Sequence, residues 1–420
     1  MNADKDKIIP LDTAGILYSY TKTKTWNQTY RVSALLKSEV DGEALKQAVR
    51  KMRHRFPSFY VRLSDGFLWK HFKSAPVDVD EIVVHDYEYC APVDTEGIYS
   101  PLFKIHYCEN RISLDIFHGV TDGHGAIVFL KTLLATYFGI LGIYIPPTHG
   151  ILNIEDEPKP EELEDGYMKF YDKKKGKLTR LEKTAYQHYV SDSDGEFSII
   201  QGKFSASQLK KLTKSLGVSV TEYLAAVYVY SYYVNKNHKS KKPIKIQFPI
   251  NLRSIFGLET LRNFSLVMTI SLPYRKEEYT FEEILRTTVD QIAQGKDKEK
   301  LQKAINTNVS DAVMFISKYS PSVLKRPFIV AGFLLYGERM ITSPISNMGM
   351  VSAPNELKEQ VEYFDATIGA TKKNAINAAV ITFCDNVAVT FSTKKSRREV
   401  QDTFFDFLQK NGIDVEFTVR

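Results

Sequence analysis

Residues 111–139 place a strand, a polar turn and a long apolar helix in immediate succession, and this segment constrains the fold most strongly. In RISLDIF, Ile112, Leu114 and Ile116 alternate with other residues, as in a strand that has one face in the core. The apolar run AIVFLKTLLATYFG predicts a helix that is buried on most sides. The turn between them therefore presents its side chains where the strand ends.

The turn itself, HGVTDGHG, contains residue types that suit chemistry. Gly119 allows the backbone to turn, and Gly123 and Gly125 allow close packing at the helix start. His118 has a side chain whose ordinary pKa of about 6.5 suits a general base. Asp122 either holds the imidazole or turns away and locks the loop, and the spacing does not decide which. A helix-capping aspartate beside a core histidine is the alternative interpretation.

The other elements mix strands and helices without a regular β-α-β alternation. Apolar spacing predicts helices within 40–59, 221–235 and 398–412 and a long helix from residue 281, and strands at 67–72, 102–110, 244–250 and 265–272. Hairpins are expected to turn at Glu109–Asn110 and at Asp385–Asn386. The pattern favours mixed α/β sheets (α+β) over a Rossmann domain, and no G-x-G-x-x-G follows a strand.

The length of 420 residues predicts two domains, because a single hydrophobic core rarely grows to this size. Between the halves, EDEPKPEELED, KKKGK and SDSDG form alternating charge blocks that are typical of solvated linkers. We place an N-terminal half at 1–165, a charged linker at 166–195 and a C-terminal half at 196–420.

Charge and composition exclude several function classes. The formal net charge of +6 comes from 56 Lys and Arg against 50 Asp and Glu, and it is spread along the chain. No RNA-binding signature accompanies it, so we expect no nucleic-acid partner. The histidines and cysteines show no metal-ligand spacing, so we expect no metal site.

The cellular compartment is suggested by the cysteines and by the apolar stretches. Cys90, Cys108 and Cys384 are odd in number and far apart, which suits a reducing compartment. The N-terminal segment lacks an apolar signal region. The apolar stretch at 328–337 is about half as long as a spanning helix requires. We expect a cytoplasmic protein without stable membrane insertion.

A resemblance to a known family begins at the turn. His118, Asp122 and Gly123 match the H-x-x-x-D-G signature of the chloramphenicol-acetyltransferase-like superfamily of CoA-dependent acyltransferases, which includes condensation domains and plant BAHD enzymes. The sequence is most similar to the bacterial alcohol-acetyltransferase-like branch, through ordered blocks at 9–24, 53–72, 117–134, 248–264 and 341–351.

Two departures narrow the resemblance. Condensation domains carry two adjacent histidines, and here Phe117 takes the place of the first, which weakens a peptide-bond-forming interpretation. The D-F-G-W-G block of the plant enzymes is absent.

The resemblance implies two similar α/β domains that face each other across a central tunnel, with His118 midway as the general base. It implies that Asp122 and Gly123 support the loop, with Asp122 paired to Arg253. Asn347 would line the tunnel near the oxyanion, although a turn Asn before Gly349 fits its sequence equally. Asn263 matches a similar position in the family pattern, or only satisfies a strand end.

The implied activity is transfer of an acyl group from acyl-CoA, a co-substrate and not a bound cofactor, to an alcohol or amine. A condensation-like enzyme that uses acyl carrier protein thioesters, or a non-catalytic binding protein on the same fold, is the alternative. His124 is more typical of a helix-start surface residue than of a second base. Two basic clusters are candidates for the CoA phosphates or are solvated faces: Lys372–Lys373, and Lys394–Lys395 with Arg397–Arg398.

Overall fold

The computed structural model describes residues 8–22, 28–75, 78–86, 101–178, 183–188, 198–315, 321, 325, 327, 329–330, 338–369, 376–393 and 398–419. The strands are β1 Ile8–Pro10, β2 Thr29–Leu36, β3 Val61–Asp65, β4 Lys70–Ser74, β5 Val83–His85, β6 Phe103–Cys108, β7 Arg111–Phe117, β8 Ser198–Ser205, β9 Ile244–Asn251, β10 Ser265–Leu272, β11 Ser343–Met350, β12 Val361–Ile368, β13 Ile376–Phe383, β14 Asn386–Thr393 and β15 Glu416–Val419. The helices are α1 Thr13–Thr21, α2 Gly42–Met52, α3 Val79–Ile82, α4 Gly123–Ile140, α5 Gly166–Phe170, α6 Ala206–Ser215, α7 Val220–Val234, α8 Arg253–Phe256, α9 Phe281–Gly295, α10 Lys298–Phe315, α11 Asn355–Lys358 and α12 Glu399–Lys410.

The N-terminal half is built on a five-stranded sheet with the order β12-β2-β7-β6-β5. The helices α2 and α4 pack together, and α4 also contacts β2 and β7. Asp41 caps α2 by accepting the N–H groups of Glu43 and Ala44, each at 2.9 Å. The buried face of α2, which includes Leu45 and Val49, then lies in the first core. The predicted helix within 40–59 is therefore confirmed.

The predicted hairpin at Glu109–Asn110 is confirmed. β6 pairs antiparallel with β7, and Cys108 lies opposite Arg111. Glu109 adopts a positive φ of 51° in the turn between them. β7 is buried along its whole length, and sheet neighbours pair with both of its edges. Its end is therefore fixed relative to the rest of the half.

The C-terminal half is built on a seven-stranded sheet with the order β10-β9-β11-β13-β14-β8-β15. Ser219 and Glu222 form a capping box at the start of α7, which packs against α9 and α12. Four predictions for this half, the helix at 221–235, the strands 244–250 and 265–272 and the closing helix, are confirmed. The last hairpin turns at Cys384 and Asp385, one residue earlier than predicted, and Cys384 has a φ of 51°. A small sheet, β1-β4-β3, completes the described strands.

One strand of the C-terminal half belongs to the N-terminal sheet. β12 pairs antiparallel with β2, with Phe364 opposite Ala34. β13 then contributes alternate residues to two cores: Ala378 and Val380 to the second, and Ala379 and Ile381 to the first. β13 thus packs on both cores and joins the two halves, and the boundary between 165 and 196 stays a prediction.

Buried ion pairs line the contact between the halves. Arg31 donates two hydrogen bonds of 2.6 Å to Asp115 within the first sheet. Arg111 pairs with Asp365 of β12, whose carboxylate also accepts the amide N–H of Gln201 on β8. Burial tends to raise the pKa of Asp365, but Arg111 and Gln201 hold it below its usual value. The contact is polar and fully paired at these carboxylates.

The part of the predicted linker that the structure describes packs against other elements. In α5, Tyr167 is buried and its hydroxyl donates to the backbone oxygen of Ser265. Asn306 of α10 donates to the backbone oxygens of Asp172 and Gly176. This part of the segment therefore packs against the C-terminal half.

In the described part of the chain, α4 is the one helix whose length and hydropathy would allow a membrane span, and 67% of it is buried inside the protein. Most of the apolar stretch 328–337 lies outside the described residues.

Candidate active site

His118 follows directly after the end of β7. Its backbone N–H donates to the carbonyl oxygen of Gln28 at 2.8 Å, which continues the pairing of β7 with β2 beyond the last strand residue. Phe117, by contrast, is fully buried in the first core. The strand end therefore holds the backbone of His118 rigidly and leaves its side chain half-buried.

Two tyrosines hold the plane of the His118 imidazole. Tyr18 of α1 stacks on it, with ring centroids 4.3 Å apart and an interplanar angle of 26°. Tyr30 of β2 contacts it at 4.8 Å and donates its hydroxyl to the carbonyl oxygen of Thr121. Burial by these groups lowers the pKa of His118, because the charged imidazolium loses water. The imidazole is therefore favoured in its neutral, basic form.

The Nδ1 atom of His118 lies 3.2 Å from Oδ1 of Asn263. Asn263 is itself buried, and its Nδ2 donates to Oδ2 of Asp12 at 3.3 Å. Among the described residues, the structure gives Nε2 of His118 no hydrogen-bond partner. Sequence reasoning singled out Asn263 but missed Asp12, whose only local signal is its position before α1.

The carboxylate of Asp122 is turned toward Arg253 and not toward His118. Arg253 Nη1 lies 2.9 Å from Oδ2, and Nη2 lies 3.0 Å from Oδ1, so the pair is bidentate and buried. The backbone N–H of Phe264 also donates to Oδ2 at 2.9 Å. Of the two arrangements that the spacing left open, the structure has the one in which the aspartate locks the loop.

Both members of this ion pair have further hydrogen-bond partners. Arg253 also donates to the backbone oxygens of Thr260, at 2.7 Å, and Arg262, at 2.6 Å. Burial tends to raise the pKa of Asp122, yet Arg253 and the N–H of Phe264 hold it below its usual value. Asp122 is therefore ionised at neutral pH, and it also caps α4 by accepting the N–H of Gly125.

The two glycines of the turn differ in how closely they are packed. A Cβ atom on Gly123 would meet only the flexible end of Met348, at 3.2 Å. A Cβ atom on Gly125 would lie 2.4 Å from the backbone oxygen of Leu261 and 2.1 Å from Oγ1 of Thr121. The close approach of α4 to the C-terminal half therefore depends on Gly125 more than on Gly123.

Asn347 lies in β11, at a bulge in the pairing of β11 with β13. Its Nδ2 donates to Oγ1 of Thr221 at 3.0 Å, and its Oδ1 accepts the N–H of Gly349 at 2.8 Å. Gly349 has a φ of +73°, which an L residue rarely adopts. Asn347 thus has the turn role that one interpretation gave it, and it also lies on the cavity wall.

A cavity of about 1450 Å³ runs between the halves and brings these residues together. Its wall includes five of the residues predicted from the sequence: His118, Asp122, Gly123, Arg253 and Asn347. Asn263 does not line the cavity itself, but it contacts the wall residue His118.

Two other titratable side chains of the cavity wall, those of His124 and Lys131, are less well placed for chemistry. His124 is exposed on the wall. Lys131 of α4 donates to the backbone oxygens of His149 and Ser352, and burial lowers its pKa to about 8. Lys131 therefore ties two loops to α4.

The sequence matches no model of a protein family and no curated protein. Solved structures match over nearly its full length. The first condensation domain of the CDA synthetase is 11% identical, with a TM-score of 0.63, over 98% of this chain and 97% of that one. TRI3 trichothecene 15-O-acetyltransferase from Fusarium sporotrichioides is 10% identical, with a TM-score of 0.61, over 96% and 94%. The chain has the chloramphenicol-acetyltransferase-like fold.

A third match of this fold is F. graminearum TRI101 complexed with Coenzyme A and T-2 mycotoxin, 12% identical, with a TM-score of 0.57, over 97% and 99% of the two chains. The predicted fold class, two facing halves with mixed sheets, is confirmed. Identities this low establish the fold alone, so the activity must be argued from the site.

The remaining candidates lie away from the cavity or outside the described residues. Cys108 is buried, Cys384 is exposed, and neither lines the cavity, whereas Cys90 is outside the described residues. The proposed CoA-phosphate residues lie outside them too, except Arg398, which pairs with Asp402 at 3.1 Å. Within the described ranges, no group of three or more His, Cys, Asp or Glu could hold a metal ion.

Proposed function

We propose that the chain transfers an acyl group from acyl-CoA to a hydroxyl or amine acceptor, with His118 as the general base. The observation that carries this proposal is the position of the His118 imidazole at the end of β7, in a cavity shared by both halves. Its Nδ1 contacts Asn263, and its Nε2 has no hydrogen-bond partner among the described residues. The fold is shared with TRI101, which was solved in complex with Coenzyme A and T-2 mycotoxin, and this supports a CoA thioester as donor.

The proposed chemistry is a direct transfer. Nε2 of His118 takes the proton of the acceptor O–H or N–H as that atom attacks the thioester carbonyl carbon. The tetrahedral oxyanion that forms collapses with cleavage of the carbon–sulfur bond. The imidazolium then returns its proton to the CoA thiolate. Asp122 and Arg253 take no part in the proton transfer, and their ion pair supports the loop.

The proposed place of Asn347 follows from its amide. One N–H is donated to Thr221, so the second N–H of Nδ2 is the group that would stabilise the oxyanion at the cavity wall.

A carrier-protein donor is the second candidate, because a condensation domain has the same fold. The position of Phe117 counts against it, since the place of the first histidine of condensation domains is occupied by a core residue. A panel of acyl-CoAs with alcohol, sugar and amine acceptors separates the two donors through release of the CoA thiol. Transfer from a loaded carrier protein but not from acyl-CoA would favour the second candidate. If neither donor supports transfer, a non-catalytic binding protein is favoured.

The order of the reaction is a further test. Direct attack requires both substrates in the cavity together, so we expect intersecting initial-rate lines and no acyl adduct in the intact mass. Replacing Cys90, Cys108 and Cys384 together by serine should preserve turnover. Parallel lines with a stable acyl mass shift would reassign the reaction to a covalent nucleophile.

The pH profile should follow the base. Because burial lowers the pKa of His118, the imidazole stays neutral to a lower pH than an exposed histidine does. We expect the acid limb of kcat/KM, which reports the free enzyme, to fall below the ordinary histidine value of about 6.5. An acid limb well above that value, measured with a saturating second substrate, would contradict the assignment.

A further inference from the structure

Asp12 is a fully buried carboxylate that the proposed reaction does not use. Its Oδ1 caps α1 by accepting the N–H of Gly15 at 2.6 Å. Its Oδ2 lies 3.3 Å from both the backbone nitrogen and Nδ2 of Asn263, and 3.5 Å from Nε of Arg262. Asp12 therefore connects the start of the N-terminal half with the segment of the C-terminal half that contacts His118.

The charge of Asp12 sets the orientation of the Asn263 amide. Burial raises the pKa of Asp12 to about 6, with Arg262 opposing this shift, so the carboxylate is ionised at neutral pH. An ionised carboxylate only accepts hydrogen bonds, so the amide nitrogen of Asn263 must face it. The amide oxygen then faces His118, 3.2 Å from Nδ1.

The orientation of Asn263 in turn selects the tautomer of His118. An amide oxygen only accepts, so Nδ1 of His118 must carry the hydrogen. Nε2 is left with its lone pair.

We propose that Asp12 and Asn263 are positioning residues that hold His118 in the Nδ1–H tautomer, so that Nε2 is the base in the cavity. The inference rests on the proposed function, in which Nε2 takes the acceptor proton. The chain of contacts runs from the carboxylate of Asp12 through the amide of Asn263 to the imidazole, and each link has one allowed polarity.

Asp12 also fixes the plane of the imidazole through α1. The helix that it caps carries Tyr18, which stacks on His118. The start of the same helix packs on the turn, because a Cβ atom on Gly15 would lie 2.8 Å from the backbone oxygen of Gly119. Asp12 thus determines the tautomer of His118 and also fixes the position of Tyr18, which stacks on it.

The variant Asp12→Asn separates these two effects. Asparagine caps helices as well as aspartate does, so α1 and Tyr18 should stay in place. The new amide nitrogen at the place of Oδ2 would face both the backbone N–H and the Nδ2 of Asn263, and donors cannot pair with each other. Asn263 is expected to flip and present its own nitrogen to His118, which then carries its hydrogen on Nε2. We expect kcat to fall by about 10²–10⁴-fold, as for loss of a general base, with little change in KM.

The double variant Asp12→Asn with Asn263→Asp reverses the link between positions 12 and 263 and restores an acceptor that faces Nδ1 of His118. The amide at position 12 would donate to the new carboxylate, which accepts from Nδ1 of His118, and the total charge is that of the natural chain. We expect it to recover much of the lost kcat. A residue with a merely structural role would give no such rescue. Asp41→Asn, at the cap of α2, is the matched control and should leave kcat unchanged.

The tautomer can be read without activity. In protein labelled with ¹⁵N in the histidine rings, proton–nitrogen correlation spectra show which nitrogen of His118 carries the hydrogen, and His118→Ala assigns the signal. We expect Nδ1–H in the natural chain and in the double variant, and Nε2–H in Asp12→Asn. The inference is overturned if Asp12→Asn keeps Nδ1–H or a normal kcat, or if the double variant is no better than the single one.

Two further outcomes are separable. If the natural chain shows Nδ1–H but transfers no acyl group from any donor, the proposed function fails and the positioning stands. Should Asp12→Asn not fold, Asn263→Leu removes both amide contacts without adding charge. A misplaced base is expected to cost about 10²-fold in kcat, and an unchanged kcat there would overturn the inference.

Discussion

Replacing His118 by alanine should lower kcat for acyl transfer by about 10²–10⁴-fold, which is the usual contribution of a positioned general base. The ring is half-buried and stands at the cavity wall, outside the two main cores. The variant should therefore fold normally, with a melting temperature close to that of the natural chain. Release of CoA thiol under saturating substrates is the measurement.

His124→Ala is the matched control for this variant. His124 belongs to the same turn and lines the same cavity, but it is exposed and lacks the stacking tyrosines. It should retain most of the activity. If His118→Ala turns over near the natural rate, or if His124→Ala is the more damaging change, the general base has been wrongly assigned.

Replacing Asp122 by asparagine should act mainly on stability. Asparagine can still cap α4, so the loss reports the ion pair, and breaking one partner of a buried pair typically costs about 3–5 kcal/mol. Arg253 would keep its backbone acceptors, Thr260 and Arg262, but lose the opposing charge. Urea unfolding followed by circular dichroism should show the loss, and kcat should fall with it because the loop that carries His118 is released.

The partner variant tests the pairing itself. Arg253→Gln combined with Asp122→Asn should lower the free energy of unfolding by less than the sum of the single changes, because the double variant leaves no unpaired buried charge. Glu283→Gln, which breaks a partly exposed pair with Arg275, is the control and should destabilise the protein much less than Asp122→Asn does. Additive losses at Asp122 and Arg253 would disprove their coupling.

Local patterns were sufficient to predict the elements that carry the site. Alternation in 111–117 and the apolar run from Ala126 predicted β7 and α4, because the periods of a strand and of a buried helix are visible within a few residues. The same patterns placed His118 at a strand end. For Asp122, spacing left two orientations open, and the resemblance added the partner Arg253, which is 131 residues away.

Other features depended on contacts between distant segments. β12 joins the N-terminal sheet beside β2, although its sequence reads like any other buried strand. Asp12 reaches Asn263 across 251 residues. Its sequence shows only a helix cap.

The sequence by itself determined the strand, turn and helix around His118, since those follow from hydrophobic period and capping over a few residues. The tertiary structure decided which way Asp122 points, which strand closes the first sheet, and which carboxylate orients the base. These depend on hydrogen-bond partners and buried surfaces that come together only when both halves have folded, and nothing in the local sequence encodes the distance between them.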